Sequence, residues 1–325
     1  MNETPNDYSP ETGERENEIN SRNNSAELIR YPIKEGEIGF DKIFIQASSI
    51  DHQGSEWVIN VDSKDPTVVY NDKLKVEYGL ENSPTVNDLR KGNGEKKLVS
   101  GGTWVWIRDN EGNEFLSLMR RDDEPGLADP GCLTGPAGRC GEKLSQTSVD
   151  ETNQEFIFVR SENGGDNKLL AFYRNEEDKD AVIEQKKRQV GEIYRALMEK
   201  YEKTGDEQSK IDAEFLRDNI KSGEDIQLLK MEPASSDGLD TVIMKIDGEE
   251  VDKIHGVAYM DEENHTLEVR EVVNINLPVG SNISKVLDGE VFLRPTVLVK
   301  KEKLKNLLNN DKTVPALGNY IEKVA

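Results

Sequence analysis

The chain has 325 residues, with 42 Lys and Arg against 64 Asp and Glu, for a net charge of −22. That surplus of carboxylates argues against duplex nucleic acid and anionic membranes as partners, because both are bound through Lys and Arg, and no run of about 18 apolar residues is present to span a bilayer. Cys132 and Cys140 are too few for a disulfide scaffold or a Cys/His zinc site, and a start without basic and apolar segments points to the cytoplasm.

Residues 1–28 are rich in Asn, Glu and Ser and nearly free of apolar side chains. A disordered tail is expected there, since too little apolar surface is available to offset the entropy of ordering. The pattern changes over residues 29–98, where IGFDKIFIQAS, EWVINVD and TVVYNDKLKVEY carry the β-branched and aromatic content of strands. They predict a β-rich N-terminal region that adds to a sheet or makes a homodimer contact. SPTVNDLRKGNGEKK predicts a short helix and a loop. A hairpin follows from about Leu98, over GGTWVWIRDNEGNEFLSLMRRD. Trp104 and Trp106 share one face of its first strand, either as core or as a platform on which a base stacks. Arg120 and Arg121 close its second strand; neighbouring strand residues face opposite ways, so at most one of them meets a substrate phosphate.

Residues 136–158, PAGRCGEKLSQTSVDETNQEFIF, read as a glycine turn, a helix and a strand. At about 100° per residue, Ser145, Val149, Thr152 and Phe156 fall on one side of the helix, with Glu151, Gln154 and Glu155 opposite. The acids are thus expected to point away from whatever the helix packs on. Glu151 and Glu155 stand four apart, and two like charges so placed repel unless a cation lies between them. A hard divalent ion such as Mg²⁺, or Mn²⁺, meets that need.

Farther on, Val182, Ile183, Val190, Ile193, Leu197 and Tyr201 recur at helical spacing, and SKIDAEFLRDNIKSG predicts a second helix ending at Gly223. Residues 175–233 therefore form a helical insertion, packed on the domain, covering its site, or serving as a dimerisation hairpin. HGVAYMDEENHTLEVREVVNINLP predicts late strands, with His255, His265, Glu268 and Glu271 on or beside them.

From Glu142 onward, the seven-residue gap followed by DETNQE resembles the Nudix box, a Gly, five residues, a Glu, seven residues and then Arg-Glu-apolar-x-Glu-Glu. The match departs from that pattern in three places: the segment between Gly138 and Glu142 is two residues short, Asp150 stands in the Arg position, and Gln154 replaces the first Glu of the pair. The hairpin before the box, EFIFV after it, and VFLRPTVLVKKEKLKNLL as last strand and closing helix agree with the family's element order. The resemblance implies a Nudix-type α/β/α sandwich with a mixed sheet over residues 99–325, extended by the β-rich N-terminal region and the insertion. It also implies Mg²⁺-dependent hydrolysis of a nucleoside diphosphate linked to another moiety. Glu151 and Glu155 would then hold the metal, with Gln154 and Asp150 adding oxygen donors, and Glu142 either binding metal through water or holding the loop. Asp150, Gln154 and the shortened turn motivate an alternative, a domain that binds a nucleotide or a protein without turnover. A third reading is a scaffold that assembles through the insertion and the acidic tail.

Overall fold

The computed structural model describes residues 43–324 except 45, 64–67, 70–74, 77–80, 91–96, 122–130, 142, 163–166, 222, 263–264, 291–293 and 309–313. The expected tail over residues 1–28 and the candidate Glu142 lie outside the described residues.

Strand β1 (Ser49–Gln53) and β2 (Glu56–Val61) form the first hairpin, and β3 (Lys97–Arg108) and β4 (Glu114–Arg120) form the second. Two short strands, β5 (Leu133–Thr134) and β6 (Ala137–Arg139), pair with β4 and β3 and lead into helix α1 (Leu144–Glu155). The box segment is thereby anchored to the centre of the sheet. Next come β7 (Phe156–Glu162) and β8 (Asn167–Tyr173), then helices α2 (Lys179–Thr204) and α3 (Glu207–Asn219). Strands β9 (Ile226–Lys230), β10 (Asp240–Ile246), β11 (Glu249–Asp261), β12 (Thr266–Asn276), β13 (Ser281–Asp288) and β14 (Thr296–Lys300) precede the last helix, α4 (Pro315–Val324).

The larger sheet runs β14-β4-β3-β12-β11-β10-β2-β1 and is mixed. Its central pair, β3 and β12, is parallel, from Leu98 opposite Thr266 to Arg108 opposite Asn276. Strands buried on both faces favour nearly continuous apolar runs, as in TWVWI of β3. One face, carrying Trp104, Trp106, Leu116, Leu118 and Val272, packs under α4 through Leu317, Tyr320 and Ile321. The opposite face, with Val105, Ile107, Val273 and Ile275, meets Phe156, Phe158, Leu170 and Phe172 of a second sheet ordered β9-β8-β7-β13. The outer face of that second sheet is covered by α2 and α3. Val182, Val190, Ile193, Leu197 and Leu216 there bury Ile157, Val159, Leu169 and Ala171.

The molecule is therefore an α/β sandwich with helices on both outer faces and a large mixed sheet, as the sequence predicts, and the second sheet forms an additional inner layer. The N-terminal hairpin extends that sheet, β2 running parallel to β10. Helix α2 stops at Gly205, whose φ of 72° favours glycine. Helix α3 starts where Asp206 accepts from the Gln208 backbone N–H and the Ser209 hydroxyl, 2.8 Å away. The closing helix differs from expectation: KEKLKNL forms 3-10 turns, and the last α-helix lies later, at Pro315–Val324. Within KEKLKNL only Leu304 is buried, so the segment has no apolar stripe wide enough to seat an α-helix.

Candidate active site

Helix α1 is cradled between the two sheets. Its first turn is held by Asp252 of β11, whose carboxylate accepts from the Ser145 backbone N–H at 2.8 Å. Small hydroxylated residues then let it lie close on β3. Ser148 donates to the Gly102 carbonyl at 3.1 Å, and the Thr152 and Thr103 hydroxyls meet at 2.7 Å. Asn153 bonds both backbone groups of Phe172, at 2.7 and 2.9 Å, tying the helix to β8. Every residue of α1 is at least half-buried.

This corrects the expectation that the acids point away from the packing surface: Glu155 is only 8% exposed. A helical wheel identifies which residues share a face but not how many faces are covered, and here two sheets enclose the helix. Glu151 lies against β6, where a Cβ on Gly138 would stand 1.8 Å from the Glu151 Oε1. The glycine of the box is thus required for the close approach of the carboxylate.

Electrostatically the two glutamates form one unit with a distant segment. Burial, followed by the charges of Glu155, Glu290 and Asp150, pushes the Glu151 carboxyl well above the usual carboxylate range, against the opposing pull of Arg270. Burial and Glu290 likewise push Glu155 up to about 8, opposed by Arg294 and Arg270. Asp288 and Glu290 are placed by the backbone itself, because the Gly289 N–H donates to the Glu155 carbonyl at 2.9 Å. Arg294 crosses back to both acids, at 3.1 Å to Asp288 and 2.6 Å to Glu290.

Beside Glu155 lies a small cavity of about 150 Å³, whose lining includes Thr134, Arg121, Arg139, Arg270 and Arg294. Of the two candidate arginines at the end of β4, Arg121 lines the cavity, while the Arg120 side chain donates to the Gly131 carbonyl at 3.1 Å. Trp104 does not serve as a stacking platform. It has no exposed surface and stacks on Tyr320 at 5.5 Å in the core under α4. Asp150 accepts from Gln146 at 2.9 Å, and the Gln154 backbone carbonyl accepts from the Gln189 side chain. Glu268 lines the cavity and pairs with Arg270 at 2.6 Å, whereas Glu271 is fully buried and pairs with Arg174 at 2.6 Å. His255 bonds Thr241 at 3.3 Å. Among the described residues, no three His, Cys, Asp or Glu side chains are gathered into a complete ligand cage.

Sequence reasoning overlooked Arg139, Arg270, Asp288, Glu290 and Arg294. Arg139 sits within the box turn and was legible there by position. The other four lie more than 110 residues downstream and carry no local periodicity that singles them out.

No helix among the described residues is long and apolar enough to cross a membrane. No protein-family model matches the chain, and no curated protein does. Among solved structures, an Ap4A hydrolase from C. elegans is 12% identical, with 70% of this chain and 93% of that one covered at a TM-score of 0.29. RenU, a Nudix hydrolase from M. smegmatis, is 9% identical, with 72% and 89% covered, also at a TM-score of 0.29. At that level of likeness neither structure lends weight to a function for this chain, which rests on the residues themselves.

Proposed function

We propose that the protein is a Nudix-type hydrolase that cleaves the phosphoanhydride of a nucleoside diphosphate linked to another moiety, with Mg²⁺ or Mn²⁺. One observation carries this reading. Glu151 and Glu155 stand four apart on one helix, the first half-buried and the second buried, the charge of Glu155 raising the Glu151 carboxyl, and Glu155 lines a cavity with four arginines. Buried carboxylates that raise each other's proton affinity are stabilised by an added cation. The donor set fits Mg²⁺ in kind, since that ion keeps several waters and takes one or two protein carboxylates together with substrate phosphates.

Glu151 and Glu155 would hold the ion. The chemistry supplied by bound Mg²⁺ is neutralisation of the diphosphate oxygens and activation of water. Arg270 and Arg294 orient phosphate oxygens through their guanidinium groups. Gly138 and the Gly289 N–H fix where the two acids sit. Gln154 contributes no charge and cannot act as a base.

The test is incubation with a panel of nucleoside diphosphate derivatives in Mg²⁺, Mn²⁺ or EDTA, with products followed by liquid chromatography and mass spectrometry. Metal-dependent cleavage, lowered on the order of 10²-fold or more in Glu155→Gln, is expected. Equal turnover in the wild type and in both Glu151→Gln and Glu155→Gln would overturn the reading. Asp150 and Gln154 favour one alternative, a domain that binds without turnover; a rise in melting temperature with a ligand and no product in any arm would select it.

A further inference from the structure

We infer that the arginine-lined cavity beside Glu155 receives a terminal phosphate, so that the substrate presents the free end of a polyphosphate rather than a diphosphate esterified on both sides. The inference rests on the phosphoanhydride reading and narrows it, since the moiety linked to the nucleoside diphosphate is then itself a phosphate with a free end.

The first support is a buried guanidinium with two of its nitrogens lacking acceptors among the described residues. Arg270 is 5% exposed and lines the cavity, and only its Nη2 is engaged, by Glu268 at 2.6 Å. Its Nε and Nη1 have no acceptor among the described residues. A guanidinium taken out of water with donors unmet is costly, and an anion in the adjoining cavity satisfies them.

Local charge points the same way. The whole chain carries 64 acidic against 42 basic residues. The cavity lining is richer in cations, with Arg121, Arg139, Arg270 and Arg294 beside Glu155 and Glu268, and Arg294 is also paired with Asp288 and Glu290 behind it. All four cations are arginine, whose planar fork matches phosphate oxygens two at a time. A terminal phosphate offers three free oxygens and about −1.5 to −2 charges, whereas a phosphate esterified on both sides offers two oxygens and one charge. The donor-rich wall suits the former.

Size supplies the third argument. At about 150 Å³ the cavity is well below the roughly 300–1,000 Å³ of sites that enclose whole organic ligands. It has room for a phosphate end, and the organic part of the substrate remains outside.

The test is calorimetric titration of the wild-type protein in EDTA, where the proposed turnover is off and the arginines are read directly. The probes are inorganic tripolyphosphate and a dinucleoside diphosphate, whose phosphates are both esterified. Tripolyphosphate is expected to bind at least tenfold more tightly than the dinucleoside compound, and Arg270→Gln to weaken it at least tenfold. Equal or tighter binding of the dinucleoside compound overturns the inference, as does unchanged tripolyphosphate binding in Arg270→Gln. Should Arg270→Gln fail to fold by circular dichroism, Arg121→Gln takes its place with the same expectation. Tripolyphosphate binding without turnover of any substrate would defeat the hydrolase reading and leave this inference standing. Turnover confined to diphosphates esterified on both sides would do the reverse.

Discussion

Glu155 couples the site to pH. Its carboxyl, at 4.5 when unperturbed, is pushed to about 8 by burial and by Glu290. Between those values the native state binds more protons than the unfolded chain, so metal-free stability contributed by this group falls as pH rises from about 4.5 to about 8. Lys186, pushed down to about 7 by burial, titrates in the opposite sense above that pH. The increment due to metal, rather than the absolute melting temperature, therefore isolates the glutamates. Mg²⁺ is expected to raise the melting temperature more at about pH 8.5 than at about pH 6, because the ion competes with protons for the same oxygens. An increment independent of pH would dissociate the ion from these acids. Glu155→Gln should leave the metal-free melting temperature unchanged or higher while erasing the increment, since it removes repulsion and keeps the side chain's shape. Gly138→Ala places a methyl on the Glu151 carboxylate. Loss of metal-dependent turnover with about 1–3 kcal/mol lower stability is expected, read by assay and urea unfolding.

At the scale of elements, α2 reaches the C-terminal end of α1. Lys186 is fully buried and donates to the Asn153 carbonyl, to the Phe156 carbonyl at 2.7 Å and to Gln189 at 2.8 Å. Its Nζ caps the C-terminus of α1, where the last carbonyls of the helix have no partner within it. Gln189 passes the contact on, donating to the Gln154 carbonyl and to the Gly289 carbonyl at 2.7 Å. The insertion thus clamps both the turn that carries Glu155 and the segment that carries Asp288 and Glu290. Lys186→Met strands buried carbonyls and is expected to cost about 1–3 kcal/mol in urea unfolding. Gln189→Ala should lower kcat more than it raises KM, because it loosens the acids without touching substrate. An unchanged kcat would reduce Gln189 to a packing residue.

For the whole molecule, the insertion supplies a layer of the fold. Ile157, Val159, Leu169 and Ala171 on the outer face of the second sheet are buried against α2 and α3. Exposing side chains of this kind costs roughly 1.5–3 kcal/mol for each large one, against a total stability of about 5–15 kcal/mol. A chain lacking residues 179–219 is therefore expected to be insoluble or to lose the cooperative melt seen by circular dichroism. A soluble, cooperatively melting deletion would instead mark the insertion as an accessory lid or hairpin.

Much of this architecture was legible in the chain because it is written locally. The tryptophan-bearing hairpin, helix α1 between its glycine turn and the EFIFV strand, and the two insertion helices follow from periodicity and turn residues, which act within about one turn or one strand. Spacing alone also placed Glu151 and Glu155 together. Only the tertiary structure decided what surrounds them. The second sheet closes over α1 and buries Glu155, and β12 and the segment after β13 bring Arg270, Asp288, Glu290 and Arg294 to a helix more than 110 residues earlier. The same packing turned Trp104 from a candidate stacking platform into core beneath Tyr320. Side-chain period fixes which residues share a face, but the solvation and charge of that face depend on which distant strands are laid against it.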